Sequence, residues 1–306
     1  EIALKKGKNK ARALEPFGGV PSLTATSGPG LSLMMEGLGL AVASETPIVV
    51  ANVMRGGPST GIPTKSEQSD LNIALYGFHG DAPHLVLAAF DIRDCVFTFQ
   101  WAVRLAEHLQ TVAIVLTDQS LGQSRAICDP PERFHGELVR VIAEPDEGPY
   151  RRYSLTETGI SPMALPGQPG GMYTADGLEH NPRGTPSSMS ADHVAQTQKR
   201  LHKLHAFDYG DYWAQVTGHG HIALITWGSA TGAAHEAADR LTAQLEQTLS
   251  AEEGRLADPA SMELPPSADA VILAVSGLSA SPILSVWPEG GLLYHPAVNS
   301  GRSVIE

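Results

Sequence analysis

Four apolar runs constrain the fold of this chain more than any other feature of its sequence. They are PSLTATS (21–27), PIVVANV (47–53), HLVLAAF (84–90) and TVAIVLTD (111–118). Two of them, 47–53 and 111–118, are continuous and rich in β-branched residues, which is typical of strands covered on both faces. The runs therefore predict buried strands of a parallel sheet.

Helical patterns separate these runs. Residues 31–45 follow a turn, SGPG (27–30), and carry apolar residues at helical spacing. Residues 94–110 form an amphipathic pattern, and Asp94 is the expected N-cap. This strand–helix alternation predicts an α/β fold with a parallel sheet over residues 1–120.

The rest of the chain changes character. Residues 121–210 are predicted to be a long Pro/Gly-rich connecting segment followed by a helix at 191–207. Residues 211–306 are predicted to form a second, smaller α/β unit. Its strands are expected at 221–229 and 268–276, and its helix at 231–245.

Charge and cysteine content exclude several classes of protein. The chain has 306 residues and a net charge of -12, which argues against binding to a nucleic-acid backbone. Its two cysteines, Cys95 and Cys128, are too few for a disulfide framework or a four-thiolate cluster. No apolar run reaches the roughly 18 residues of a membrane span, and no signal peptide is visible. These features predict a cytoplasmic protein that binds neither nucleic acid nor membrane.

RGGPSTGIPT (55–64) is the densest polar segment, and it directly follows the run at 47–53. The Arg55 guanidinium can grip a carboxylate in a bidentate fork. Ser59 and Thr60 add hydroxyl donors, while glycines admit a ligand to the backbone and prolines fix the shape of the loop. The segment is either a ligand clamp or a surface loop, because functional groups concentrate on loops after strand ends.

The junction TATSGPG (24–30) joins a strand to the start of a helix. Free backbone N–H groups at such a start can hold a phosphate or a carboxylate, which makes Ser27, Gly28 and Gly30 candidate cofactor-binding residues. The alternative is a tight turn that only connects the two elements. The junction is not a P-loop, because no GK[ST] follows it.

Three other motifs favour structural interpretations. FHGDAPH (78–84) holds two histidines and Asp81 but lacks a third ligand, so a polar turn is favoured over a metal site. His202, His205, His219 and His221 are interpreted in the same way. Ser124 in LGQSRA resembles half of a hydrolase nucleophile elbow, but TDQSLGQ separates it from the strand. WGSATG (227–232) is interpreted as a plain turn between a strand and a helix.

Several blocks in a fixed order resemble one family. They are TATSGPGLSLMMEGLGLA, RGGPSTGIPTKSEQSDL, GFHGDAPHLVLAAFDIRDC, VLTDQSLGQS, RRYSLTETGISPMALPGQPGGMYTADGLEH, KRLHKL and ITWGSATGAAHEA. Over about residues 22–240 the chain is similar to α subunits of 2-oxoacid:ferredoxin oxidoreductases, most of all the 2-oxoglutarate type. The resemblance implies a thiamine-pyrimidine-type domain followed by a transketolase-C-terminal-like domain.

The resemblance also implies a reaction and its components. A 2-oxoacid such as 2-oxoglutarate is oxidatively decarboxylated with coenzyme A to an acyl-CoA, and electrons pass to ferredoxin. A β subunit is expected to hold most contacts to thiamine diphosphate and Mg²⁺, and the [4Fe-4S] cluster. No metal ligand is assigned to this chain.

By position, the resemblance implies that Arg55 grips the substrate carboxylate and that Ser59 and Thr60 shape the same pocket. The family's Y-P-I-T-P segment and its glutamate-bearing helix are not readable in residues 1–21. No activating glutamate is assigned, and Glu36 and Glu45 are interpreted as structural. A non-catalytic scaffold or binding subunit of the same fold is the alternative.

Overall fold

A computed structural model of the chain describes residues 14–63, 65–129, 139–144, 149–217 and 225–252, and two short strands near the C-terminus. The helices are α1 Leu14–Phe17, α2 Gly28–Ala43, α3 Leu71–Tyr76, α4 Ile92–Leu109, α5 Gln119–Gln123, α6 Ser190–His205 and α7 Ala230–Glu252. The strands are β1 Leu23–Thr26, β2 Ile48–Met54, β3 Leu85–Ala88, β4 Val112–Asp118, β5 Pro282–Val286 and β6 Leu292–Pro296. Among the described helices, none is both long and apolar enough to cross a bilayer.

The first four strands form one parallel sheet in the order β1-β2-β4-β3, as the apolar runs predicted. Strand β4 is buried at every position, and both of its neighbours pair with it in parallel register. The β-branched content of β2 and β4 suits this double coverage, since both faces of a central parallel strand are packed.

Helices cover the two faces of the sheet and divide the core into two layers. Leu31 and Met35 of α2 pack with Met54 of β2 on one face. Trp101 and Leu105 of α4 pack on the opposite face. The carboxyl ends of all four strands lie at one edge, so the segments that follow β1, β2 and β4 meet there.

Two helix starts differ from the sequence-based expectation. Helix α2 begins at Gly28 rather than at residue 31, because SGPG forms its first turn with Pro29 in an N-terminal position that needs no backbone donor. Helix α4 begins at Ile92, and its N-cap is Asp91, not Asp94. The Asp91 carboxylate accepts a hydrogen bond from the backbone N–H of Asp94 at 2.6 Å. The Asp94 carboxylate instead accepts from the Phe90 N–H.

A buried ionic cluster attaches the Pro/Gly-rich segment and α6 to the sheet. We call Glu45, Arg152, Lys199 and Lys203 the Glu45 cluster. The two Glu45 carboxylate oxygens lie 2.6 Å from Lys199 Nζ and 2.9 Å from Lys203 Nζ. Arg152 donates to the Glu45 carbonyl oxygen at 2.8 Å. All four residues are buried, so the connecting segment is a packed part of the domain and not a free linker.

Neighbouring groups complete this attachment. Lys199 Nζ donates to the Ser161 hydroxyl and Lys203 Nζ to the Gln110 carbonyl, each at 2.8 Å. The ring of Tyr153, which is fully buried, lies 3.8 Å from the His180 ring and 5.2 Å from the Arg152 guanidinium carbon. Tyr153 therefore packs in the interior of the domain together with the Glu45 cluster.

The second unit is described only in part. The strand expected at 268–276 lies outside the described residues, as do residues 221–224 of the strand expected at 221–229. Residues 225–227 have no regular secondary structure and residues 228–229 form a turn, so none of them belongs to a described strand. Helix α7 covers the predicted helix and extends beyond it to Glu252. Strands β5 and β6 pair antiparallel in a two-stranded sheet.

Replacing Glu45 with glutamine should lower the free energy of unfolding by roughly 3–5 kcal/mol, because three buried cations then lose their counter-charge. Urea unfolding followed by circular dichroism measures the change. Glu36→Gln, at an exposed position of α2, is the matched control and should shift stability by less than about 0.5 kcal/mol. Equal stabilities for Glu45→Gln and the wild type at pH 7 would contradict this role.

The stability difference between the wild type and Glu45→Gln should also depend on pH. Burial alone would raise the pKa of Glu45, but the charges of Lys203, Lys199 and Arg152 outweigh it and hold the pKa below its ordinary value. The ionised carboxylate therefore stabilises the fold above the unfolded pKa of about 4.5, and this contribution falls as the pH drops below that value. The stability gap between wild type and Glu45→Gln should narrow below about pH 4.5.

Candidate functional site

Arg55 is the first residue after β2 and is half-buried at the carboxyl edge of the sheet. Its Nε atom is buried and has no hydrogen-bond partner among the described residues. A buried donor without a partner costs about 1–3 kcal/mol, so an unpaired guanidinium nitrogen here indicates a place for an acceptor. The carboxylate grip expected of Arg55 from the sequence stays a prediction.

The loop after Arg55 is closed by its own backbone hydrogen bonds. Gly56 N–H donates to the Lys65 carbonyl at 3.0 Å, and Ile62 N–H donates to the Gly56 carbonyl at 2.9 Å. The Glu67 carboxylate accepts from the Gly57 N–H at 3.1 Å. These contacts fix the base of the loop, so the polar residues between them stand at a defined place on the sheet edge.

Gly61 is required for this closure. Its φ is +70°, and a Cβ atom added there would lie 1.6 Å from the Gly56 carbonyl oxygen. No L-residue with a side chain fits that contact without moving the loop. In contrast, a Cβ atom added at Gly57 meets nothing within 4 Å.

Ser59 and Thr60 lie at the exposed tip of the loop. Ser59 has a φ of +56°, which is uncommon for a residue other than glycine. Their backbone belongs to the same closed loop as Arg55. The structure therefore places the three predicted substrate residues on one segment, with Arg55 at its buried base and the two hydroxyls in solvent.

The start of α2 differs from a simple anion site. A Cβ atom on Gly30 would lie 1.8 Å from the Thr26 hydroxyl oxygen, so this glycine permits close packing of helix and strand. A Cβ atom on Gly28 would lie 2.9 Å from both carboxylate oxygens of Asp70. A carboxylate of the chain itself therefore stands beside the positive end of α2, where Ser27 is the N-cap residue.

Asp70 is held in that place by Asn52 of β2. The Asn52 side-chain Nδ2 donates to Asp70 Oδ2 at 2.9 Å, and Asn52 is fully buried. Its Oδ1 atom is buried and has no partner among the described residues. Sequence reasoning missed this pair, although an asparagine inside the apolar run PIVVANV was a signal that could have found it.

Asp118, the last residue of β4, joins three segments at the same edge. Its carboxylate accepts hydrogen bonds from the backbone N–H groups of Leu121 and Ser229, at 3.0 and 2.7 Å, and from Gln68 Nε2 at 3.1 Å. Gln68 Nε2 also donates to the Trp227 carbonyl at 2.8 Å. Burial raises the pKa of Asp118, but these hydrogen bonds outweigh it and lower the pKa below its ordinary range.

The WGSATG turn therefore does more than connect a strand to a helix. Gly228 has a φ of +64°, and its N–H donates to the Ala89 carbonyl after β3 at 2.9 Å. A Cβ atom on Gly228 would lie 2.4 Å from Gln68 Nε2. The turn packs against the carboxyl edge of the sheet and, through Gln68, against the segment that continues the Arg55 loop.

The structure favours the structural interpretations of the other motifs. Ser124 is the C-cap residue of α5, not part of a strand-to-helix junction, and its hydroxyl donates to the Ser120 carbonyl at 2.6 Å. The ring nitrogens of buried His84 lie 2.8 Å from the Ala82 carbonyl oxygen and 2.7 Å from that of Ala74. The described residues hold no group of three or more side chains arranged to bind a metal ion. His219 and His221 lie outside them.

Comparison with known proteins gives consistent relatives. Residues 16–200 match the family described as pyruvate flavodoxin/ferredoxin oxidoreductase, thiamine diphosphate-binding. The 2-oxoacid:ferredoxin oxidoreductase 1, subunit alpha, of Sulfurisphaera tokodaii is 38% identical over 229 residues, which are 70% of this chain and 35% of that protein. The 2-oxoglutarate oxidoreductase subunit KorA of Mycobacterium tuberculosis is 39% identical over 228 residues, 73% of this chain and 35% of the relative.

A solved structure agrees with these sequences. The 2-oxoglutarate:ferredoxin oxidoreductase from Magnetococcus marinus, with 2-oxoglutarate, coenzyme A and succinyl-CoA bound, has a TM-score of 0.69 and 42% identity. The match covers 77% of this chain and 42% of that one. The chain spans about a third of the length of the two curated relatives, 35% of each. On the profile match, the identities and the shared parallel sheet, the chain belongs to the thiamine-diphosphate-binding family of pyruvate flavodoxin/ferredoxin oxidoreductases.

Proposed function

We propose that the chain is part of the α subunit of a thiamine-diphosphate-dependent 2-oxoacid:ferredoxin oxidoreductase in the cytoplasm. The reaction is oxidative decarboxylation of 2-oxoglutarate, or a related 2-oxoacid, with coenzyme A to give succinyl-CoA or the matching acyl-CoA and CO₂. Relatives named for 2-oxoglutarate, and a neighbour that binds 2-oxoglutarate and succinyl-CoA, support this choice of substrate.

The cysteine content of this chain bears on which subunit holds the iron–sulfur cluster. Its two cysteines are both free, and it carries no thiolate set for an iron–sulfur cluster. In this proposal, as the family resemblance implies, a β subunit holds the [4Fe-4S] cluster, Mg²⁺ and most diphosphate contacts, and passes electrons to ferredoxin. Residues 1–120 form the thiamine-pyrimidine-type domain, 121–210 the connecting segment and 211–306 the transketolase-C-terminal-like domain of this proposal.

One observation carries the proposal: the Arg55 guanidinium stands at the carboxyl edge of the sheet with a buried donor that the described residues leave unpaired. Thiamine diphosphate, when bound, would supply the nucleophile and the electron sink for decarboxylation. Arg55 holds the carboxylate of the substrate in a fixed orientation, while the closed loop keeps this cation in place. Because that carboxylate leaves as CO₂, the role of Arg55 is orientation and not maximal ground-state binding.

Arg55→Ala should lower kcat/KM for the 2-oxoacid by roughly 10- to 150-fold, the equivalent of about 1.5–3 kcal/mol for a charged hydrogen bond. The kcat/KM of Arg55→Lys should lie between those of the wild type and Arg55→Ala, because an ammonium group keeps the charge but not the bidentate fork. The measurement is 2-oxoglutarate- and coenzyme-A-dependent reduction of viologen by the enzyme assembled with its β subunit. Arg183→Ala, at an exposed arginine of the connecting segment, is the matched control. Unchanged activity of Arg55→Ala would remove Arg55 from the mechanism.

Gly61→Ala should raise the KM for the 2-oxoacid, because a methyl group directed at the Gly56 carbonyl displaces the loop that carries Arg55. Gly57→Ala is the matched control, since its added methyl group meets open space. Steady-state kinetics of both variants, with unfolding midpoints measured in parallel, separate loop displacement from global destabilisation. Equal KM values for the two variants would show that loop closure does not position Arg55.

The same assay separates this proposal from a non-catalytic scaffold of the same fold. A scaffold would bind the β subunit but would leave viologen reduction unchanged in both the Arg55 and the Gly61 variants. The enzyme proposal requires that both variants act on turnover of the 2-oxoacid.

A further inference from the structure

The segment KSEQSD (65–70) directly follows the Arg55 loop and is bonded to the carboxyl edge of the sheet. The Lys65 carbonyl and the Glu67 carboxylate accept the hydrogen bonds that close the base of that loop. Lys65, Ser66 and Glu67 are exposed, so burial does not hold this part of the segment in place. The base of the loop is therefore only as well fixed as the point at which the segment is attached to the sheet.

Gln68 is the first half-buried side chain of the segment, and it provides that attachment. Both N–H bonds of its amide are used, since Nε2 donates to Asp118 Oδ2 at 3.1 Å and to the Trp227 carbonyl at 2.8 Å. Burial opposes ionisation of Asp118, but its hydrogen bonds outweigh this effect and lower its pKa, so the bond from Gln68 is charge-assisted. One amide thus joins the segment both to the end of β4 and to the turn before α7.

The turn at 227–229 packs tightly against the Gln68 amide. A Cβ atom on Gly228 would lie 2.4 Å from Gln68 Nε2 and 2.6 Å from Asp118 Oδ2, so a side chain larger than hydrogen does not fit there. The Gly228 N–H also donates to the Ala89 carbonyl after β3 at 2.9 Å. The turn is therefore bonded to the sheet and gives Gln68 a fixed support.

From these contacts we propose that Gln68 is a positioning residue for the 2-oxoacid, which aligns Arg55 by holding the 65–70 segment between β4 and the turn before α7. The inference rests on the function proposed above, and it gives a turn far along the chain a part in aligning the substrate. Gln68 does not touch the substrate. It acts through the hydrogen bonds that Lys65 and Glu67 accept from the two residues after Arg55.

Gln68→Met tests this role, because it keeps the length of the side chain and removes both N–H donors. The 65–70 segment then loses its attachment, Arg55 adopts more orientations, and a smaller fraction of bound substrate has its carboxylate aligned. In the enzyme assembled with its β subunit, kcat/KM for 2-oxoglutarate in coenzyme-A-dependent viologen reduction should fall about tenfold, equivalent to about 1.4 kcal/mol.

A double-mutant cycle with Arg55→Ala separates positioning from a general loss of stability. If Gln68 acts through Arg55, Gln68→Met should lower kcat/KM less than about twofold in the Arg55→Ala background, because the group that it aligns is absent. A merely structural role would lower kcat/KM by the same factor in both backgrounds. Additive effects in this cycle would therefore contradict the inference.

Gly228→Ala disturbs the same contact from the other side, since its methyl group is directed at Gln68 Nε2. It should lower kcat/KM with the same dependence on Arg55, and it decides the matter where Gln68→Met does not assemble with the β subunit. Gly232→Ala is the matched control in the first turn of α7, because its added methyl group meets nothing within 4 Å. Equal kcat/KM values for these two glycine variants would count against a role for the turn.

The outcomes distinguish this inference from the proposed function. Unchanged kcat/KM in Gln68→Met, or an equal loss in both backgrounds, overturns the positioning role and leaves the role of Arg55 intact. A wild-type enzyme without 2-oxoglutarate-dependent viologen reduction, or an Arg55→Ala variant with full activity, overturns the proposed function itself. A loss in Gln68→Met that disappears in the Arg55→Ala background, with Gly232→Ala unchanged, supports the assignment of Gln68.

Discussion

The buried carboxylate of Glu45 joins the sheet to the part of the chain that follows β4. It stands just after α2 and meets two lysines of α6, while its backbone carbonyl accepts from Arg152 of the connecting segment. Burying one carboxylate among three cations costs desolvation energy, and removing that carboxylate costs more because it leaves the buried cations without a counter-charge. The connecting segment and α6 therefore pack as part of the first domain, which keeps the opposite, carboxyl edge of the sheet available for ligands.

That edge is organised by side chains that restrain loops. Glu67 fixes the base of the Arg55 loop, and Asp118 accepts from both α5 and the turn that starts α7. Gln68 links the segment after the Arg55 loop to the turn before α7, because its amide donates to Asp118 and to the Trp227 carbonyl. The turn at 227–229 is thus connected to the segment next to the Arg55 loop through the hydrogen bonds of Gln68.

The strands of the sheet were predicted well, because a continuous apolar run is a direct sign of a strand that is buried on both faces. The continuous runs at 47–53 and 111–118 are β2 and β4, and Arg55 follows β2 as expected. The starts of α2 and α4 were wrong by a few residues, because Pro29 fits a first helical turn and Asp91 caps more effectively than Asp94. Asn52 stands out as a polar residue inside its apolar run, but its partner Asp70 could not be identified from the sequence, since 18 residues separate the two and only the fold brings them together.

A positive and a negative group lie near the end of β2, the Arg55 guanidinium and the Asp70 carboxylate, and they do not form an ion pair. Among the described residues Arg55 forms no ion pair, although the Asp70 carboxylate lies at the same edge of the sheet. Asn52 directs that carboxylate towards the start of α2, where the helix dipole stabilises it without neutralising the arginine. The Arg55 guanidinium is therefore left without a carboxylate partner among the described residues, as the carboxylate grip proposed for it requires.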